Sequence, residues 1–146
     1  MQEWSARAGS RVPVRVEASF PEQRLVGGKY HMASHSITLY VETMKQQCFL
    51  LFGSLDRLEE YIAVILAHEL GHAQDGDLRQ LCERLDGDLS DAERDRTLLQ
   101  IEVNAWRYAR QLLKDFADAS TLDTIVMESL AMYNSRQATT SEADIA

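Results

Sequence analysis

The hydrophobic periodicity of this chain changes from that of strands to that of helices near Ser54. Between residues 12 and 16 valines occupy every second position, a period that is typical of a half-buried strand. From Ser54 to Gly76 apolar residues recur at steps of three and four, which places them on one face of an α-helix. Strands followed by several helices predict an α+β fold, with a small N-terminal antiparallel sheet beside the first long helix and further helices.

Two segments are predicted to pair as a hairpin within that sheet. Residues 36–42 contain a run of β-branched and aromatic side chains, and residues 29–32 precede them across a short polar connection. Pro13 has no backbone N–H to donate, so the strand around it is expected at an edge of the sheet.

Capping signals divide the rest of the chain into helices. The first helix is predicted to begin at the cap Ser54 and to stop at Gly76, and a short second one covers residues 78–85. Ser90 and Glu93 have the S-x-x-E spacing of a capping box, which predicts a long third helix that runs to about residue 116.

A last helix is predicted over residues 121–134 with Ser120 as its cap, and its apolar residues favour either the core or a dimer interface, so monomer and dimer both stay open. The polar residues 135–146 predict a disordered tail. A chain of this length can bury a core without disulfide staples, so one domain is expected over residues 1–134.

The charge balance excludes one class of function. The chain has 15 Lys and Arg against 23 Asp and Glu, a net charge of −8, which excludes an electrostatically driven nucleic-acid binder and suits a basic partner or peptide. Cys48 and Cys82 are too few for a disulfide framework and are expected to be reduced. Residues 1–10 contain no apolar run for secretion, and no stretch is long enough to span a bilayer, so a cytoplasmic protein with no membrane partner is predicted.

The segment that carries chemistry is His68-Glu69-Leu70-Gly71-His72, an H-E-x-x-H sequence in the middle of the first long helix. Residues four apart lie on one helix face, so both imidazoles can bind one metal ion, with zinc expected. A catalytic zinc lowers the pKa of its water to about 7, and Glu69 stands where a general base and proton shuttle is needed. The alternative is a pair of core histidines that hydrogen bonds satisfy.

The long third helix has one acidic residue on its apolar stripe, which consists of Leu98, Glu102, Ala105, Ala109, Leu112 and Phe116. An unpaired carboxylate that faces an apolar interior is costly, so a metal ion or an arginine is expected to compensate Glu102. The small Ala105 and Ala109 would let this helix approach the H-E-x-x-H helix closely. Asp75 is the alternative third ligand, or else caps the helix end or orients a histidine.

The sequence His68-Glu69-Leu70-Gly71-His72, followed by EVNAWRYARQLL at residues 102–113, resembles the ImmA/IrrE group of gluzincin metallopeptidases. This chain departs from the family pattern at Asn104-Ala105, where the order Ala-Asn is frequent, and at Lys114, where Met-Pro is frequent. The resemblance implies an α+β peptidase domain in which His68, His72 and Glu102 bind Zn²⁺ and Glu69 is the catalytic base.

The same resemblance implies a protein or peptide substrate that pairs with an edge strand, for which residues 36–42 are the candidate, and a helix-turn-helix repressor as one such substrate. The leading hypothesis is therefore a zinc-dependent metallo-endopeptidase. The alternative is a catalytically silent zinc-binding module that sequesters a regulatory partner. Four side chains remain candidates to stabilise the oxyanion of the transition state: Tyr30, His31, His35 and Tyr108.

Overall fold

The computed structural model describes residues 11–22 and 25–138, which form three strands and five helices. The strands are β1 (Val14–Glu17), β2 (Gly28–His31) and β3 (Ser36–Tyr40). The helices are α1 (Val41–Phe52), α2 (Leu58–Gln74), α3 (Leu78–Leu85), α4 (Asp91–Leu113) and α5 (Ala119–Ala138). The prediction of an α+β fold is confirmed.

The sheet has the strand order β1-β3-β2. The predicted hairpin is present, because β2 and β3 pair antiparallel with His31 opposite Ser36. β1 pairs with the other side of β3 and runs parallel to it, so the sheet is mixed rather than wholly antiparallel. β1, which follows Pro13, lies at an edge as predicted.

The prediction that residues 36–42 form an edge strand is wrong. β3 is the central strand, hydrogen-bonded on both sides, and the side chains of Ile37 and Leu39 are fully buried. The run of β-branched and aromatic residues in this segment reflects burial between two neighbours, which is typical of a central strand. The edges of the sheet are β1 and β2.

Helix α1 follows β3 directly and was absent from the sequence prediction, which extended the strand to Glu42. The β-branched Val41 has a side chain that is typical of strands, so the sequence extended the predicted strand past Tyr40, although Val41 is the first residue of α1. The helix ends at Gly53, whose φ of 74° is a left-handed conformation that glycine adopts without strain, and whose N–H donates to the carbonyl oxygen of Phe49 over 2.8 Å.

The later helices follow the prediction with shifted ends. Helix α2 begins at Leu58, because Ser54 accepts the N–H of Asp56 in the preceding turn and does not cap the helix. Helix α3 matches its predicted range. Helix α4 begins as predicted after Ser90, whose hydroxyl accepts the N–H of Glu93 over 3.2 Å.

Helix α5 begins one residue before the predicted cap Ser120. Asp118 acts at this end instead, since its carboxylate accepts the N–H of Thr121 over 3.1 Å. The helix continues to Ala138, so the first residues of the predicted tail are helical, and residues 139–146 lie outside the described part of the chain.

Helix α2 lies at the centre of the fold, against the sheet on one side and against α1, α4 and α5 on others. Its buried residues include Val64, Leu66 and Leu70, which belong to one core cluster with Ile37 and Leu113. Among the described residues, no helix has the length and apolar character needed to cross a bilayer.

Candidate metal centre

The H-E-x-x-H segment lies on the predicted helix, but in the C-terminal half of α2 rather than in its middle. His68 and Glu69 are buried and His72 is half-buried, and one potential ligand atom from each lies within 4.8 Å of those of the others. The two imidazole rings are 4.6 Å apart between centroids. One turn of helix thus presents two imidazoles and a carboxylate at the same place.

Glu102 reaches this cluster from α4. Its Oε2 atom lies 3.3 Å from Nε2 of His68 and 3.1 Å from Nε2 of His72. The sequence predicted that this carboxylate points towards the interior of the fold, and in the structure the Glu102 side chain is only 16% exposed and faces both imidazoles. The structure therefore brings together all four residues that the sequence nominated.

Close approach of α2 and α4 makes these contacts geometrically feasible. A Cβ atom at Gly71 would lie 2.4 Å from the backbone oxygen of Ala105 and 2.8 Å from its Cα. Only a residue without a side chain fits between the helices at that point. Small residues on α4 were predicted to permit this approach, and Gly71 is the matching small residue on α2.

Contacts between Glu102 and the two histidines shift the pKa values of Glu102 and His72. Burial alone would raise the pKa of the Glu102 carboxyl, but the adjacent imidazoles of His68 and His72 outweigh it and hold that pKa well below its usual range. Burial would lower the pKa of His72, yet contact with Glu102 and the nearby charges of Glu69 and Asp75 raise it. The site therefore favours the ionised form of the Glu102 carboxyl.

The polar atoms of the cluster fit a metal ion. The contacts of Glu102 Oε2 with the two imidazoles lack hydrogen-bond geometry, and this oxygen is buried without a hydrogen-bond partner. Ligand atoms about 2.0–2.2 Å from a tetrahedral zinc lie roughly 3.3–3.5 Å from one another, close to the distances from Glu102 to both imidazoles. His68, His72 and Glu102 thus have the chemistry and spacing of a zinc ligand set.

Asp75 is occupied elsewhere. One oxygen of its carboxylate accepts the N–H of Asp77 over 2.9 Å, and the other accepts the side-chain amide of Asn104 over 3.2 Å. The carboxylate thereby holds the turn between α2 and α3 and ties it to α4. Asp75 is also the C-cap residue of α2, but through its backbone N–H, which donates to the carbonyl oxygen of His72 over 3.2 Å. His72 Nδ1 has no hydrogen-bond partner in the described residues, so Asp75 does not orient that ring by a hydrogen bond.

A cleft of about 560 Å³ opens over the cluster. Its walls come from β2, α1, α2 and α5, through residues such as Gly28, Leu50, Ile65 and Glu128. The edge strand β2 therefore borders the site, in place of the central strand β3 that the sequence suggested. A Cβ atom at Gly28 would lie 3.1 Å from Cγ of Glu69, so this strand packs closely against the Glu69 side chain.

Of the four oxyanion candidates, the structure brings Tyr30 to the cleft. Its hydroxyl shares a 2.7 Å hydrogen bond with Nδ1 of His35 in the hairpin turn. His31 hydrogen-bonds through Nε2 to the hydroxyl of Thr38 over 2.9 Å, and Tyr108 is not among the residues that line the cleft.

Sequence reasoning missed the part of the site that comes from α5. Tyr133 donates its hydroxyl to Oε1 of Glu102 over 3.0 Å, and Ser129 accepts a hydrogen bond from Trp106 of α4, whose indole stacks on the His68 ring. The amphipathic pattern of α5 indicated burial for Tyr133 but gave no signal for its partner, because the two residues are far apart along the chain.

Comparison with protein-family models, with curated proteins and with solved structures finds no match to this chain. The chemistry of the site therefore follows from its own residues. One buried and one half-buried imidazole, the low-pKa carboxylate of Glu102 and the buried carboxylate of Glu69 lie together in an open cleft. They are suited to binding a divalent cation beside a group that can take up a proton.

Proposed function

We propose that this chain is a zinc-dependent metallo-endopeptidase of gluzincin type, in which His68, His72 and Glu102 bind the metal and Glu69 is the general base. The observation that carries the proposal is the position of Glu102, whose Oε2 lies within 3.3 Å of both imidazole Nε2 atoms although it comes from a different helix. An H-E-x-x-H segment that arose by coincidence would have no reason to meet a buried carboxylate in this geometry.

Zinc bound at this site would act as a Lewis acid that polarises the scissile carbonyl and makes a water molecule more acidic. Glu69 is buried at the floor of the cleft, within 4.8 Å of the ligand atoms of His68 and His72, so its carboxylate can take a proton from the attacking water. As the water oxygen bonds to the carbonyl carbon and the C–N bond breaks, Glu69 returns that proton to the leaving amine.

The shape of the cleft supports a peptide substrate. β2 is an edge strand that borders the cleft, and an extended chain can add to such an edge by backbone hydrogen bonds. The net charge of −8 favours a basic peptide. By the family resemblance, we extend the proposal to a regulatory protein, such as a helix-turn-helix repressor, as the substrate. We also propose a cytoplasmic location, with which the free thiols of Cys48 and Cys82 agree.

The first experiment measures metal content. We expect about one zinc ion per wild-type chain and loss of zinc from His72→Ala and Glu102→Ala, because each variant removes one of three protein ligands. Wild-type protein that contains no zinc and gains none on titration would overturn the proposal. Zinc retained in Glu102→Ala would show that a residue other than Glu102 is the third protein ligand.

The second experiment separates binding from catalysis. Glu69→Gln is expected to keep zinc and to lose cleavage of a library of internally quenched fluorogenic peptides, because an amide cannot take up the proton. Glu59→Gln is the matched control, since Glu59 is exposed on the same helix. Cleavage that persists in Glu69→Gln contradicts the assigned role of Glu69. A zinc-loaded wild type that binds these peptides and cleaves none would favour the silent binding module.

A further inference from the structure

Two side chains of α5 hydrogen-bond to residues at the candidate metal centre: Tyr133 to the candidate ligand Glu102, and Ser129 to Trp106, which stacks on the candidate ligand His68. Tyr133 is buried, and its hydroxyl donates a 3.0 Å hydrogen bond to Oε1 of Glu102. Four residues earlier, Ser129 accepts a 3.2 Å hydrogen bond from Nε1 of Trp106. Both side chains also line the cleft, so they stand on the face of α5 that is turned towards the site.

The contact with Tyr133 selects which carboxylate oxygen faces the histidines. A glutamate carboxylate rotates freely about its last torsion unless something holds it. With Oε1 occupied by the Tyr133 hydroxyl, Oε2 is directed to the point between the two imidazoles. The hydrogen bond therefore prepares Glu102 to offer one defined oxygen to a metal ion.

The contact with Ser129 acts on His68 through Trp106. The indole and imidazole rings are stacked, 4.2 Å apart between centroids and 28° apart in plane. A metal-binding histidine is usually oriented by a hydrogen bond from its other ring nitrogen. Nδ1 of His68 has no hydrogen-bond partner in the described residues, so the stacked indole supports the face of this ring in place of such a bond, and Ser129 holds the indole.

We infer that α5 is the positioning element of the metal site: Tyr133 orients Glu102, and the Ser129–Trp106 pair orients the His68 ring. This inference rests on the metal site of the proposed function, but it does not depend on peptidase activity. Neither Tyr133 nor Ser129 is a metal ligand in this arrangement, so each acts through a neighbouring residue.

The test is the zinc affinity of folded variants, measured by competition with a chromophoric chelator. Loss of such an outer contact typically weakens metal binding about 10- to 100-fold, and we expect a loss in this range for Tyr133→Phe. Ser129→Ala should weaken binding by about tenfold, at the lower end of that range, and Ser129→Thr, which keeps the hydroxyl, should restore it. A purely structural role would lower the melting temperature of the metal-free protein without changing zinc affinity.

Tyr61→Phe is the matched control. Tyr61 is also buried and lines the same cleft, but its hydroxyl donates to Gln47 over 3.1 Å and contacts no candidate ligand. Its zinc affinity should equal that of the wild type.

Wild-type affinity in folded Tyr133→Phe, or equal affinities in Ser129→Ala and Ser129→Thr, would overturn the role of α5 while leaving the metal site intact. The serine pair keeps the inference testable if Tyr133→Phe does not fold. Absence of zinc binding by the wild type itself would instead refute the proposed function, so the two failures are distinguishable.

Discussion

Replacing Gly71 by alanine has two opposite effects on the stability of the fold: alanine has the higher helix propensity, but its side chain disturbs the packing of α2 against α4. Gly71 lies inside α2, where alanine is favoured over glycine by about 1 kcal/mol in a free helix. In this structure the added Cβ would meet the backbone oxygen of Ala105 at 2.4 Å and its Cα at 2.8 Å. Backbone atoms cannot rotate away as a side chain can, so the two helices have to separate.

The size of the effect follows from these distances. Ordinary contact begins near 3.4 Å, so α2 and α4 must move apart by about 1 Å at the crossing. Overpacking of this kind costs about 1–3 kcal/mol, and a clash with backbone belongs at the upper end. After the gain in propensity, about 2 kcal/mol of the free energy of unfolding should be lost, which lowers the melting temperature by about 8 °C for a domain of this size.

The same movement should weaken the metal site. The distance from Nε2 of His72 to Oε2 of Glu102 is 3.1 Å, and a shift of about 1 Å would take these atoms beyond the separation that one zinc ion can bridge. Gly71→Ala is therefore expected to lower zinc affinity in addition to stability.

The assay is thermal unfolding of the metal-free protein together with a zinc titration. Gly76→Ala is the control, because a Cβ atom at Gly76 meets nothing within 4 Å, so this variant should keep wild-type stability and affinity. If Gly71→Ala melts at or above the wild-type temperature and binds zinc as tightly, close approach of the two helices does not determine the site.

Three further outcomes are expected. Gly28→Ala would put a Cβ atom 3.1 Å from Cγ of Glu69 and displace this side chain. The kcat for peptide cleavage should therefore fall about tenfold or more, with zinc affinity unchanged. An unchanged kcat would count against the placement of Glu69 as the base. Removal of zinc by a chelator should lower the melting temperature, since free zinc at 100 times Kd stabilises the folded state by about 2.7 kcal/mol; equal melting curves with and without zinc would contradict metal binding. Ser90→Ala removes the cap that accepts the Glu93 N–H and should cost about 1 kcal/mol in a denaturant titration without altering zinc affinity, whereas no loss of stability would refute the capping role.

Local signals predicted the parts of this protein that depend on neighbours along the chain. The spacing of His68 and His72 sets both imidazoles on one face of α2. Ser90 caps the N-terminus of α4, because its hydroxyl accepts the N–H of Glu93 three residues later. Glu102 could be nominated because an acidic residue on an apolar stripe requires compensation wherever that stripe packs. In each case the physical cause acts within one or two helical turns.

Boundaries were less predictable where two local preferences compete. Val41 favours a strand by its branched side chain but begins α1, and Ser54 satisfies a turn instead of capping α2. These shifts did not move the site, since they affect the N-terminal ends of α1 and α2, whereas the H-E-x-x-H segment lies in the C-terminal half of α2.

Tertiary structure alone decided which surfaces meet. β3 is central because β1 and β2 pair with its two sides, so the edge beside the site belongs to β2. Tyr133 meets Glu102 because α5 packs against α4, a pairing between residues 31 positions apart that no periodicity encodes. The sequence by itself determined the candidate ligands and the helices that present them. Their distances, the edge strand over the cleft and the support from α5 depend on packing between distant segments, which single-sequence patterns do not contain.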